Sequence, residues 1–292
     1  MESNKSNMKT IDFRTDFLDL GFEIRTLEDF YSSLAHKIAK NRHIINFYVM
    51  MFITDGNGVH EIDFKKYEYK ANNIIFIRRG QEHSWLEFTK TKGYIILFTK
   101  EFLNENQIKF KDIVYSFPYN SYIYKPILKI LNSNYINSYK TLISYLYEEY
   151  MMSENPQKGE ILQCLLRTLL LKINIHKPMS NNLGNDEQKT LFINLQKLLD
   201  SEVIISRNAK DYSNKLGVSF KKLNTICNLF TNKSAKEFID EVLILKAKQM
   251  LINNHYAVSQ VAYSLGFDEP TNFTKFFKKH TSLSPKEFKQ SN

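Results

Sequence analysis

Tyr212-Ser213-Asn214-Lys215-Leu216-Gly217 and Val261-Ala262-Tyr263-Ser264-Leu265-Gly266 repeat one short pattern in the last third of the chain. Each reads as a short helix ending in Leu-Gly. A turn and a second amphipathic helix follow each one. That is a helix-turn-helix, a unit that lays its second helix in the DNA major groove. Two copies joined by a long helix point to a protein that reads two successive groove segments.

In the first copy the spacing predicts a leading helix over 209–216, a turn at Gly217, and Ser219 as N-cap of the next helix. Leu223, Ile226, Cys227 and Phe230 then recur at three- and four-residue spacing, one apolar stripe. Lys221, Lys222, Asn224, Thr225 and Asn228 are left on the other face, groups that bond phosphates and base edges. The second copy runs over 258–265 with Gly266 as C-cap, Asp268 as cap of the next helix and Pro270 in its first turn. Phe273, Phe276 and Phe277 form its buried stripe, while Thr271, Asn272, Thr274 and Lys275 face outward. Ser284-Pro285 opens a short closing helix to Phe288.

Between the copies, 234–253 lacks Gly and Pro and is apolar on more than one face, as a rod buried between two subdomains must be. Such a helix spans roughly 30 Å, close to the roughly 34 Å between groove segments on one DNA face. The bland alternative is a helical bundle with chance Leu-Gly caps. The repeat, the polar outer faces and the linking helix together weigh against it.

Val261-Ala262, Leu265-Gly266-Phe267-Asp268, Phe273-Thr274-Lys275-Phe276-Phe277-Lys278-Lys279 and Ser284-Pro285-Lys286-Glu287-Phe288 resemble the diagnostic segment of the AraC/XylS family of bacterial transcription regulators. The resemblance covers about residues 188 to 290. It implies two helix-turn-helix subdomains joined by a helix, and gene control by binding double-stranded DNA near promoters. Matching positions imply contacts from Lys221, Asn224, Thr225 and Asn228, and from Pro270, Thr271, Asn272, Thr274 and Lys275. The chain departs from the family pattern at Asn232, where Gly is common, at Ser213, where Ala is common, and near Lys246, where Arg is common.

Length 292 allows two domains, and 43% hydrophobic content supplies packed cores. Of 40 basic and 31 acidic residues, 16 and 10 lie in 187–292, which concentrates the positive excess where the motifs are. Arg is the commonest reader of guanine, and that region has one, Arg207, before the first recognition helix. Asn224, Asn228, Asn272, Thr225 and Thr271 favour adenine and thymine, so an A/T-rich operator is expected, with Asn224 reading an adenine. Cys164 and Cys227 read as reduced core residues of a cytoplasmic protein. No signal peptide is evident at 1–7 and no apolar run is long enough to span a membrane.

The N-terminal half changes period. Residues 44–54 are rich in β-branched and aromatic types, and Asp55-Gly56-Asn57-Gly58 predicts a turn. Further strands are predicted over 59–64, 67–70, 74–78 and 94–99, with a turn at Asn72-Asn73 and a loop over 79–85. Short strands and tight turns favour a small barrel or sandwich. Gly80-Gln81-Glu82-His83 is similar to the Pro-Gly-x-x-His turn of the family's cupin-like barrel, with Arg79 replacing Pro. A barrel of this size can hold one ligand. Tyr48, Met50, Phe52, His60, Phe76, His83 and Trp85 either line an effector pocket or fill a closed core. His43 is followed by Ile44-Ile45, which breaks the His-x-His of metal cupins, so no metal and no cofactor are expected. His83 then reads as a turn histidine bonded to a backbone carbonyl.

Two helices are predicted over 138–152 and 158–174; in the family, helices here commonly dimerise the protein. The fold class is therefore α+β. A cupin-like β-barrel with flanking helices (1–177) is followed by a linker (178–186). An all-α domain (187–292) then carries helix-turn-helix motifs at about 209–230 and 258–280. The function implied is a sequence-specific regulator, activator rather than repressor, with a small-molecule effector, a homodimer and RNA polymerase as partners. The competing classes are a metal-dependent cupin enzyme with a helical tail and a non-specific architectural protein. No catalytic residues are evident for the first. The fixed spacing of two groove-reading helices weighs against the second.

Overall fold

The computed structural model describes residues 9–12, 21–33, 41–104, 113–152, 156–177, 184–201, 206–252 and 256–291. The expected linker and the end of the linking helix at Asn253 fall largely outside these residues. The chain divides into two compact units at Pro178/Met179.

The N-terminal unit is built on a curled sheet, a half-barrel, of eight strands among the described residues. They are β1 (Lys9–Ile11), β2 (Phe22–Thr26), β3 (His43–Ile45), β4 (Tyr48–Ile62), β5 (Lys65–Lys70), β6 (Asn73–Ile77), β7 (Glu82–Phe98) and β8 (Ile127–Lys129). Among the described residues two α-helices, α1 (Leu27–Ser32) and α2 (Lys100–Asn104), precede β8. The long strands β4 and β7 form the spine, antiparallel from Tyr48↔Phe98 to Ile62↔His83. The free edge of β4 takes β6 and β5, that of β7 takes β2 and β3, and β1 lies parallel to β3.

Asp55–Gly58 is not a turn. It lies inside β4, where the register with β7 shifts between Ile53 and Asp55, Asp55 and Asn57, and Val59 and His60. Glycine and Asn/Asp allow the positive φ that a bulge needs as readily as that of a turn, and Gly56 has φ +85°. The reversal comes later, at Asp63-Phe64, both at positive φ. Residues 82–85 likewise belong to β7 and not to a loop; the chain turns at Arg79-Gly80, with Gly80 at φ +80° and the Gln81 N–H donating to the Arg78 carbonyl at 3.1 Å.

The bulges change which side chains share a face, because each extra residue breaks the period of two. Tyr48, Met50, Phe52 and Phe76 pack with α3 (Ser133–Met151) and α4 (Lys158–Asn174), through Tyr139, Ile143, Leu146, Leu162, Leu166 and Leu169. Val49, Met51, Ile53, Ile62 and Trp85 form the core of the other face with Leu27 and Phe30 of α1. On α4, Cys164 is exposed and not in the core as expected, since Leu162, Leu166 and Leu169 take the buried stripe; Cys227 is buried.

The C-terminal unit is helical: α5 (Asp186–Asp200), α6 (Ala209–Lys215), α7 (Phe220–Thr231), α8 (Ala235–Ile252), α9 (Val258–Ser264), α10 (Pro270–Thr281) and α11 (Pro285–Ser291). An Asn185/Gln188 capping box starts α5. The linking helix α8 buries Phe238, Ile239, Val242, Leu243, Ile244, Ala247 and Leu251, positions that go most of the way round its axis. It packs on α7 and α6 of one copy and on α9 and α11 about the other.

Gly93 tests the spine. Its φ is +141°, and a Cβ there would stand 1.9 Å from the Phe52 carbonyl oxygen of β4. Gly93→Ala should cost about 1–3 kcal/mol or more, the range of an overpacked core. A thermal melt of G93A that matches wild type would mean that β4 and β7 do not approach in this way.

Candidate nucleic-acid interface

The first candidate reading helix, α7, begins where Ser219 accepts a hydrogen bond from the Lys222 N–H at 3.2 Å. It ends at Asn232, left-handed at φ 55°. Leu223, Ile226, Cys227 and Phe230 are its buried stripe, as the spacing predicts. At 3.6 residues per turn, Lys221, Thr225 and Asn228 stand opposite that stripe, and all three are exposed. The Thr225 hydroxyl donates to the Lys221 carbonyl at 2.9 Å, which leaves its methyl outward.

The two flanks of α7 are tied down. On one side Lys222 Nζ pairs with Glu187 of α5 at 2.6 Å, which holds that carboxyl below its usual range. Both groups are exposed, so a phosphate could replace the pair at little cost. On the other side Asn224 Oδ1 accepts the backbone N–H of Ala235, the first residue of α8, at 3.0 Å. Asn224 is half-buried and does not belong to the outward stripe.

The second helix, α10, repeats the arrangement. Its N-cap is Glu269 and not the expected Asp268. The reason is steric: the residue before a proline is held extended, and Glu269, before Pro270, has φ −133° and ψ 134°. The helix ends at Ser282, left-handed at φ 65°, the counterpart of Asn232. Phe273 and Phe277 are buried, whereas Phe276 is half-buried, with its ring 5.2 Å from Phe267 and 4.7 Å from His280. Thr271 and Lys275 face outward together with Lys278. Asn272 and Thr274 lie on the flanks, and the Thr274 hydroxyl donates to the Pro270 carbonyl at 2.9 Å. Lys278 is the outward residue missing from the sequence reading, although its spacing of seven from Thr271 marks it and it holds the place in this copy that Asn228 holds in the first. Lys278, Lys279 and His280 crowd the last turn, where cations suit the helix dipole.

Asp240 of α8 is 6% exposed and anchors this side. Its Oδ2 lies 3.0 Å from Lys236 Nζ and 3.8 Å from His280 Nε2 on α10.

The seven candidate pocket residues of the N-terminal unit do not share one lining. Tyr48, Met50, Phe52 and Phe76 face α3 and α4. His60, His83 and Trp85 lie together, with Trp85 in the core of the opposite face. His83 is in a strand and bonds no backbone carbonyl as a turn histidine would. Its Nδ1 lies 3.1 Å from His60 Nε2, and the ring of His43, opposite it on β3, lies 4.2 Å away at a tilt of 59°. The backbone carbonyl bond expected of His83 belongs to His43, whose Nδ1 lies 2.8 Å from the Asn41 oxygen. Whichever ring donates in the His60–His83 pair, His60 Nδ1 and His83 Nε2 have no partner among the described residues. Burial lowers all three histidines, with His60 down to about 3. Burial pushes Glu82 up to about 8, against the opposing pull of Arg42. Among the described residues no group of three or more His, Cys, Asp or Glu is placed to hold a metal ion.

Residues 212–291 match the family described as a helix-turn-helix domain, and residues 30–97 match the AraC-like ligand binding domain. The chain is 23% identical over 249 residues to the HTH-type transcriptional activator RhaR of Mannheimia succiniciproducens, covering 85% of this chain and 86% of that protein. It is 28% identical over 107 residues to the Msm operon regulatory protein of Streptococcus mutans, covering 37% and 38%. Among solved structures, ToxT of Vibrio cholerae O395 aligns at 16% identity and a TM-score of 0.42, over 92% of this chain and 97% of that one.

The histidine cluster sets a pH dependence. A depressed His60 gives stability that is complete above the unfolded value near 6.5 and is lost as pH falls toward about 3. Glu82, raised to about 8, works in the opposite sense, its stability being lost as pH rises through that value. A comparison of variants therefore isolates the histidines. Between pH 7 and 5 the melting temperature of wild type should fall more steeply than that of the His60→Leu/His83→Leu double variant. Parallel curves would show that these rings are not buried neutral.

Proposed function

The chain belongs to the AraC/XylS family of transcription regulators, and from that premise we propose that it activates transcription by placing α7 and α10 in successive major-groove segments of an operator. The observation that carries this reading is the repeated outward stripe. Lys221, Thr225 and Asn228 on α7 stand at the same spacing as Thr271, Lys275 and Lys278 on α10; α7 packs on α8, and α10 packs on α9 and α11, which pack on α8 in turn. Lys222, Asn272 and Thr274 flank these stripes within reach of the phosphate backbone. The activator sense rests on the printed function of the RhaR relative, and an activator of this kind works through RNA polymerase in the cytoplasm. No observation favours the enzyme alternative.

Lys221 and Lys275 are assigned as phosphate contacts. Lys→Ala at either should weaken binding across all sequences and lower the slope of log K against log salt by about 0.9. Selection from random DNA by the full chain should give an A/T-rich consensus, because the outward positions hold no arginine. Unchanged salt slopes, or a consensus dominated by G and C, would remove the assignment.

We further propose a homodimer formed through the outer face of α4, and an effector site on the His60–Trp85 face of the half-barrel. Leu171 and the C-capping Ile175 are 57% and 60% exposed, and Cys164, two turns before Leu171 on the same side, is exposed as well. Leu171→Asp with Ile175→Asp should convert a sedimenting dimer to monomer and weaken operator binding, since linking two modules raises effective concentration. A monomeric wild type at micromolar concentration would rule the dimer out. Trp85→Ala that leaves promoter output and its response to cell extract unchanged would rule out the effector site.

A further inference from the structure

Asn224 has the wrong partner for a base reader. A bidentate contact to adenine needs both ends of the amide, the oxygen to accept and the nitrogen to donate. The oxygen is already bonded to the Ala235 N–H at 3.0 Å. That N–H is one of the donors left unsatisfied at the start of a helix.

The internal repeat gives independent support. The start of α8 and the start of α11 are built alike. Ser234 N–H donates to Glu237 at 2.8 Å and Glu237 N–H to Ser234 Oγ at 3.2 Å. Ser284 N–H donates to Glu287 at 2.7 Å and Glu287 N–H to Ser284 Oγ at 3.2 Å. On this alignment Ala235 corresponds to Pro285, and Asn224 to Thr274. Proline has no N–H to satisfy. Where the donor is missing, the amide is missing too, and Thr274 bonds its own helix at Pro270 instead. The amide is present in the copy that has an N–H for it.

We infer that Asn224 is a positioning residue: it fixes α7 against α8 and so sets the spacing of the two operator segments, while base reading on α7 falls to the Lys221–Thr225–Asn228 stripe. The inference rests on α7 being a DNA-reading helix. Geometry gives it leverage. A helix of twelve residues is about 18 Å long. Rocking it by about 10° about its C-terminal end moves its start by roughly 3 Å, close to the 3.4 Å rise of one base pair. On the other copy, Asp240 of α8 lies 3.8 Å from His280 in the last turn of α10.

The test uses the full chain, selection from random DNA, and an operator series in which the distance between segments changes one base pair at a time. Asn224→Ala should leave the preferred bases unchanged, lower affinity for all sequences alike, and flatten the preference for one spacing. Asn224→Asp should restore the spacing preference, because a carboxylate also accepts the Ala235 N–H. Ala235→Pro, which copies the second repeat, should make a following Asn224→Ala silent. Asn228→Ala should lose roughly tenfold or more at one base pair. If both Asn224 variants lose preference at a single base pair with spacing intact, Asn224 reads a base and the inference is wrong. If Asn228→Ala changes no base preference, α7 does not read DNA, and the inference falls together with the function assigned above.

Discussion

Neither helix-turn-helix can close a core alone. Each is a pair of short helices with one apolar stripe, too little surface to bury a compact interior. Both borrow α8. Its buried positions go most of the way round, so α6 and α7 settle on one part of it and α9 and α11 on another. One rigid rod thus serves as core for two subdomains and as the ruler between them. Phe238, Ile239, Val242 and Leu243 are buried along the rod, and the packing of α6, α7, α9 and α11 on it positions both copies.

That dual use explains why the C-terminal unit was so legible. Its helices are local objects with local signals: Ser219 as cap, Gly217 and Gly266 at φ +67° and +75°, and apolar residues at three and four. What the period did not reveal lies at the flanks of α7, where an amide can face either DNA or a neighbouring helix. Asn224 and Asn228 are the same residue type one turn apart; only the tertiary structure separates them. Asp268 failed as a cap for a local reason that was visible in advance, since the proline after Glu269 already fixes where the helix can begin.

The half-barrel was less legible because its pairings are long-range. A strand that carries three register shifts has no constant period, so Tyr48 and His60 cannot be assigned to one face by counting. The residue types allowed a lining, but the bulges decided which of them meet. The pairing of β3 and β4 with β7 brings His43, His60 and His83 together from three strands, though no sequence spacing links them. The same pairings leave His60 Nδ1 and His83 Nε2 buried without partners among the described residues, a cost that a well-packed apolar core would not carry. It is also the feature of this unit that a polar guest could relieve.

The two helix-turn-helix copies have diverged where their settings differ. α8 must leave α7 as an eighteen-residue helix with a buried start, so its first N–H needs an acceptor from outside, and Asn224 supplies one. α11 is a seven-residue closing helix that starts on proline and needs none. With that demand gone, the flank of α10 is free for Thr274, and its outward stripe carries two lysines where α7 has one lysine and an amide. Within the outward stripes the positive charge thus weighs toward α10, and the directional hydrogen-bonding group toward α7. A phosphate contact tolerates displacement better than a base contact does, because its electrostatic attraction does not depend on which base pair lies beneath. With base reading assigned to α7, the copy that needs to be held in register is the first, and that is the one fastened to the rod by a directed hydrogen bond.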